Sequence, residues 1–122
     1  MGAKLASVEN GLNEQLQISI GLLLFGYLSN LINRQQVISW VDNYILKTEI
    51  KHIPPIIYDI STASKMHETG FYLLLKDFVP NHLKRNVIEL FFSQLYHLRK
   101  TDTITGTKAI NILHHLYMKI LN

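Results

Sequence analysis

Residues 81–121 read NHLKRNVIELFFSQLYHLRKTDTITGTKAINILHHLYMKIL. Apolar residues recur every three or four positions on both sides of a polar break at Thr101-Asp102-Thr103. Leu83, Val87, Leu90, Phe91, Leu95 and Leu98 make the first stripe. Ala109, Ile112, Leu113, Leu116, Tyr117 and Ile120 make the second, the cleanest in the chain. At 3.6 residues per turn this spacing gathers side chains on one helical face. The pattern predicts a helix from His82 to about Arg99, with Asn81 as its N-cap. Arg99-Lys100 close it, where cations meet the negative pole of the helix. The last helix is expected to begin near Thr105 or Thr107.

Upstream, the same period continues. Glu9 to about Ile32 reads as a long helix with apolar residues around most of its circumference, as in a helix packed on several sides. Gly21 and Gly26 lower its helix propensity but allow a neighbouring helix to come close. Asn33-Arg34 is the expected break. A second helix follows from about Arg34 to Lys47, with Val37, Val41, Tyr44 and Ile45 on one face. Ile53-Pro54-Pro55 stops it, because the residue before a proline is pushed out of the helical region. Pro55 then suits the first turn of a short helix, Pro55–Ile60, where its missing amide is not needed. Ser61, Thr62 or Ser64 is the expected cap of the next helix, which runs to about Asp77 with an apolar edge of Phe71, Leu74, Leu75 and Phe78. The pairs Val37-Ile38 and Ile56-Ile57 are too short to alternate, and no Asn-Gly or Asp-Gly turn occurs, so strands have little support. The expected fold is all-α: a single-domain antiparallel bundle over residues 1–122, of five long helices plus one short helix, with residues 1–8 a flexible or appended lead-in.

The chain has 122 residues, 48% of them hydrophobic and 17% charged. That composition excludes a disordered segment, and the length suits one domain with one core. No cysteine is present, so disulfide scaffolds, cysteine-ligated zinc and thiol nucleophiles are excluded. Net charge is +3, but it is uneven. Residues 1–61 carry four basic and five acidic groups, whereas residues 62–122 carry eight basic and four acidic ones and five of the six histidines. A basic half can attract nucleic acid, anionic lipid or an acidic protein. The lysines are spread out, however, and only Lys84-Arg85 and Arg99-Lys100 are adjacent, so no basic arm is formed. The start Met1-Gly2-Ala3-Lys4-Leu5-Ala6 has neither a signal peptide's apolar run nor the Ser or Thr of a myristoylation site. Residues 15–33 are uncharged and nearly long enough to cross a bilayer. Gln15, Gln17, Ser19, Ser29 and Asn30 dilute that stretch, and a buried central helix is the expectation. The expected compartment is the cytoplasm.

A catalytic or metal site needs converging ionisable side chains, three or four residues apart on a helix. His114 and His115 are adjacent and diverge by about 100°. His67-Glu68 continues as Thr69-Gly70, which is not the His-Glu-x-x-His zinc pattern. His52, His82 and His97 have no near partner. The Arg-x-x-x-x-His-like motif of the helical HEPN ribonucleases is missing at Arg85 and Arg99, and Arg34 is followed by Trp40 and Val41. No phosphate-binding Gly-Lys loop and no nucleophile elbow occurs. The sequence therefore argues against an enzyme and for no cofactor and no metal. A helix-turn-helix DNA reader would offer Lys108, Asn111, His114, His115 and Lys119, but the turn Thr101–Thr107 is longer than such motifs use.

The middle of the chain holds one further pattern: Trp40, Asp42 and Ile45, then Pro54-Pro55, Ile57, Asp59 and Ser61. A Trp-x-Asp-x-x-Ile element followed by Pro-x-x-Ile-x-Asp-x-Ser-like residues resembles small all-helical immunity proteins of bacterial polymorphic toxin and contact-dependent growth inhibition systems. The resemblance covers residues 37–75 best. It implies an inhibitor that binds a cognate toxin domain and blocks its active site, with Phe71–Leu75 in a later helix and a final amphipathic helix closing the bundle. Many such toxins are basic nucleases met by acidic partners. This chain is basic, so either its toxin is acidic or the contact uses the first half. Residues flanking the Pro-Pro segment, Glu49, Tyr58, Asp59, Lys65 and Glu68, are the expected partner-binding set, since polar loops on a rigid bundle make good recognition surfaces. Trp40 is expected to anchor the core, Asp42 to satisfy an amide or face solvent, and Ser61 to cap a helix. The alternatives are a nucleic-acid-binding regulator and a structural helical subunit, which the high apolar fraction would suit as a homodimer.

Overall fold

Helix ends set the architecture. The structure, a computed structural model, describes residues 2–121, with side chains over 13–119. The elements are α1 (Gly2–Leu28), α2 (Arg34–Lys47), a 3-10 turn (Ile50–His52), α3 (Pro55–Ser61), α4 (Glu68–Phe78), α5 (Asn81–Lys100) and α6 (Gly106–Leu121). The expectation for residues 1–8 lies outside the residues whose side chains are described.

The all-α bundle of five long helices and one short one is as the periodicity predicts, with the 3-10 turn in addition. α1 is central and packs against α2, α4, α5 and α6. Its buried residues Leu16, Ile20, Leu24, Phe25 and Leu28 join those of every other helix in one core. α4 runs antiparallel to α1: Tyr27 meets Phe71 near the start of α4, whereas Val79, past its end, lies beside Gly21 and Leu24. α5 then turns back, so that Gly21 faces Val87 and Phe25 faces Phe91. Each fully buried Phe, Leu, Ile or Val contributes about 1.5–3 kcal/mol. Phe71, Phe91, Ile20, Ile57, Ile60 and Leu75 are the largest. Among the described residues, no helix is long and apolar enough to cross a membrane.

Several boundaries differ from the pattern. α1 begins at Gly2, not Glu9, and ends at Leu28, not Ile32. Asn30 takes a left-handed conformation (φ 63°), while Ser29 donates its hydroxyl to the Gly26 carbonyl. Leu31 and Ile32 continue the apolar period but sit on the turn, half-buried. Asn33 caps α2 reciprocally with Gln36, each side chain bonding the other's amide at 2.8 Å. α4 begins at Glu68, and His67 caps it through Nδ1, which accepts from the Thr69 amide at 3.2 Å. The expected caps serve elsewhere: Thr62 bonds back to the Tyr58 and Asp59 carbonyls, closing α3. α5 starts one residue early. Asn81 is inside it, and Pro80 holds the N-cap position with no side-chain bond. Of the two terminal stripes, Leu90 is 43% exposed and Tyr117 is 62% exposed, so each buried face is narrower than its apolar pattern.

Candidate functional site

The Trp-Asp and Pro-Ser elements meet in space. Asp42 on α2 accepts the hydroxyl of Ser61 at the end of α3. Ser61 is therefore a strut between two helices and not the cap of a third, and Asp42 binds a side-chain hydroxyl. Pro54 and Pro55 start α3 at the N-cap and first helical positions. Trp40 is half-buried at the core edge, not fully inside, and stacks on Tyr44 with centroids 5.8 Å apart and planes 10° apart. On α3, Ile57 and Ile60 are completely buried and anchor the short helix. The Asp42–Ser61 bond and the buried Ile57 and Ile60 tie α3 to α2 and to the core, so that the two helices make a corner of the bundle.

The five expected partner-binding residues are all exposed but are spread along this corner and beyond it. Glu49 holds the N-cap position just before the 3-10 turn, 3.5 Å from Lys51 and 3.9 Å from His52. Tyr58 and Asp59 are on α3, Lys65 is in the α3–α4 loop, and Glu68 opens α4. Glu68 lines a shallow cleft with Tyr27, His67, Tyr72, Lys76 and Met118. A separate cleft beside the Pro-Pro segment is lined by Asn13, Tyr44, Thr48, Lys51, His52 and Pro54. A third, more apolar, lies between α1, α4 and α5 with Lys76 and Lys84 among its lining residues. None of these clefts takes more than one of the five.

His114 and His115 are exposed, with their rings 6.2 Å apart and nearly perpendicular, and His115 Nδ1 lies 2.7 Å from the Asn111 carbonyl. Among the described residues, no three His, Asp or Glu side chains converge as a metal site would require. Lys108, Asn111 and Lys119 are exposed on α6.

Sequence reasoning missed the most exposed apolar side chains among the described residues. Leu46 near the end of α2 is 83% exposed, and Ile50 in the 3-10 turn 82%. Leu46 is on the last turn of α2, and Ile50, between Glu49 and Lys51, opens the 3-10 turn that follows. The signal was present, since Leu46 falls off the stripe Val37, Val41 and Tyr44, so that an apolar residue there has no core to face. Phe92 and Tyr96 are likewise off the buried stripe of α5, and 47% and 69% exposed. Compared with protein-family models, with curated proteins and with solved structures, the chain gives no match.

Proposed function

We propose that this chain is a helical immunity protein that binds a cognate bacterial toxin through the α2–α3 corner and covers the toxin's active site. The observation that carries the reading is the exposure of Leu46 at the end of α2 and of Ile50 in the 3-10 turn that leads to α3. Two large exposed aliphatic side chains, one at the end of α2 and one in the following turn beside Glu49, Lys51 and His52, have the composition of a recognition patch: an apolar centre and a polar rim. The Trp40–Ser61 resemblance supplies the class of partner. The Asp42–Ser61 bond supports it physically, because a preorganised corner loses little entropy on binding. Tyr58 and Asp59 on α3, and then Lys65 and Glu68, extend the rim.

The test is co-purification with the product of the adjacent upstream gene, and protection of cells expressing that product. The double variant Leu46→Asp, Ile50→Asp keeps the fold, since neither side chain is buried, and weakens the complex by about 100-fold or more, as central interface residues do. An upstream product that is not toxic, or a complex indifferent to the double variant, refutes the proposal.

A further inference from the structure

α5 carries a second pattern beside its buried stripe. Arg85, Glu89, Phe92, Tyr96 and Arg99 are spaced four, three, four and three residues apart, the interval that keeps side chains on one seam between paired helices. All five are exposed. Asp102 follows three residues on, in the loop after the helix, 3.1 Å from Arg99. Along this seam the order is cation, anion, aromatic, aromatic, cation, anion. Read in the opposite direction, every cation falls on an anion, every anion on a cation, and aromatic on aromatic. The seam is thus complementary to an antiparallel copy of itself.

We propose that this face of α5 is a homodimer interface, with a second copy packed antiparallel about a two-fold axis at the level of Gln94. Phe92 then lies against Tyr96 of the other copy, twice over. Glu89 meets the other Arg99, and Arg85 meets the other Asp102. A two-fold interface requires this self-complementarity, and an unrelated partner does not. In the single chain the same charges already pair locally, Arg85 with Glu89 at 3.3 Å and Arg99 with Asp102 at 3.1 Å. The second copy therefore meets pre-ordered ion pairs and closes them into alternating networks on either side of the rings. Phe92 and Tyr96 are 47% and 69% exposed, so four rings bury roughly 400 Å² between them. With the stems of the flanking side chains, that puts the contact at the small end of specific interfaces, so dimerisation falls in the micromolar range or weaker. α6 also exposes Ile110, Leu113 and Tyr117, but carries no such charge order.

The experiment is sedimentation equilibrium of the full chain from about 1 to several hundred micromolar. The expected result is a reversible monomer–dimer equilibrium. Phe92→Ala abolishes it or weakens it at least tenfold. Glu89→Arg and Arg99→Glu each weaken it about tenfold, because each sets like charges opposite one another twice. The double variant Glu89→Arg, Arg99→Glu restores opposite charges across the axis and recovers dimerisation, although both local pairs remain broken. Circular dichroism of each variant at low concentration separates loss of association from loss of fold. Leu46→Asp, on the other surface, leaves the dimer intact. A wild-type chain that stays monomeric throughout overturns the inference. So does a dimer indifferent to Phe92→Ala, or one that the double charge swap fails to restore.

Discussion

Arg34 holds the α3–α4 loop in place. Its Nη1 donates to the carbonyls of Ala63 at 3.3 Å, Ser64 at 3.4 Å and Met66, while the guanidinium lies 4.6 Å from the centroid of the Phe71 ring. One side chain at the start of α2 thus serves a loop some thirty residues away and covers a fully buried phenyl ring. A planar, always-charged guanidinium suits both tasks, since it can donate in its plane and stack through its face. Arg34→Ala strands loop carbonyls beside buried Ala63 and uncovers Phe71, and is expected to lower unfolding stability by about 1–3 kcal/mol. Arg34→Lys recovers less than half of that loss, because an ammonium has no plane to stack. Urea titration measures both, as a fall in midpoint at constant slope, and an unchanged midpoint for Arg34→Ala contradicts this account. The sequence gives Arg34 no visible role, since its partners are backbone carbonyls and carry no residue signature. The Asp42–Ser61 bond was half visible: both residues stand out in the pattern around Trp40, but their meeting depends on how α3 folds back.

At the scale of elements, the crossing of α1 and α5 depends on Gly21. A Cβ at that position would stand 2.8 and 2.9 Å from the two methyl groups of Val87. A β-branched side chain on a helix has almost no rotamer freedom with which to move away. Gly21→Ala gains up to about 1 kcal/mol of helix propensity but is expected to lose about 1–3 kcal/mol by overpacking. Val87→Ala in the same chain makes room for the new methyl, so the double variant should lose less than the two single losses added together. A double-mutant cycle by thermal unfolding reads this coupling, and a Gly21→Ala protein more stable than wild type rules out the tight crossing. Gly26 is different. Its missing Cβ accommodates Ile32 of the following turn at 3.1 Å, not a neighbouring helix. Helix existence was legible throughout, because period is a property of the whole segment. Helix ends were less so. α1 and α5 both end on a left-handed residue, Asn30 or Asp102. In both, the amide after it bonds five residues back, Leu31 to Gly26 and Thr103 to Leu98, each at 2.9 Å. The apolar pattern runs straight through the first of these turns and hides it. Among the five expected contact residues, exposure was legible from polarity, whereas their separation over distinct elements required the fold.

For the whole molecule, position relative to α1 governs how locally each part can open. α1 touches α2, α4, α5 and α6, so its middle turns cannot be exposed without parting most of the bundle. Val87 and Phe91 of α5 lie directly on those turns. α3 is held differently. Its contacts run to α2 and α4, and with seven residues it has few amides beyond its unpaired first turn. Its hold on the molecule is Ile57 and Ile60 in the core and Ser61 on Asp42. Local opening needs only the contacts of the opening unit to break. The amides of Ile20–Phe25 and Val87–Phe91 are therefore expected to exchange with deuterium only through global unfolding, at the rate set by total stability. Those of α3 are expected to exchange at least tenfold faster by local opening, and Ser61→Ala should widen that gap by removing the strut to α2. A bound partner on the α2–α3 corner should slow exchange in α3 and the 3-10 turn with little effect on α5, whereas self-association through Phe92 and Tyr96 should do the reverse. If α3 exchanges as slowly as the middle of α1 in the free protein, the corner is part of the same cooperative unit. Its preorganisation would then come from the bundle as a whole and not from the Asp42–Ser61 contact.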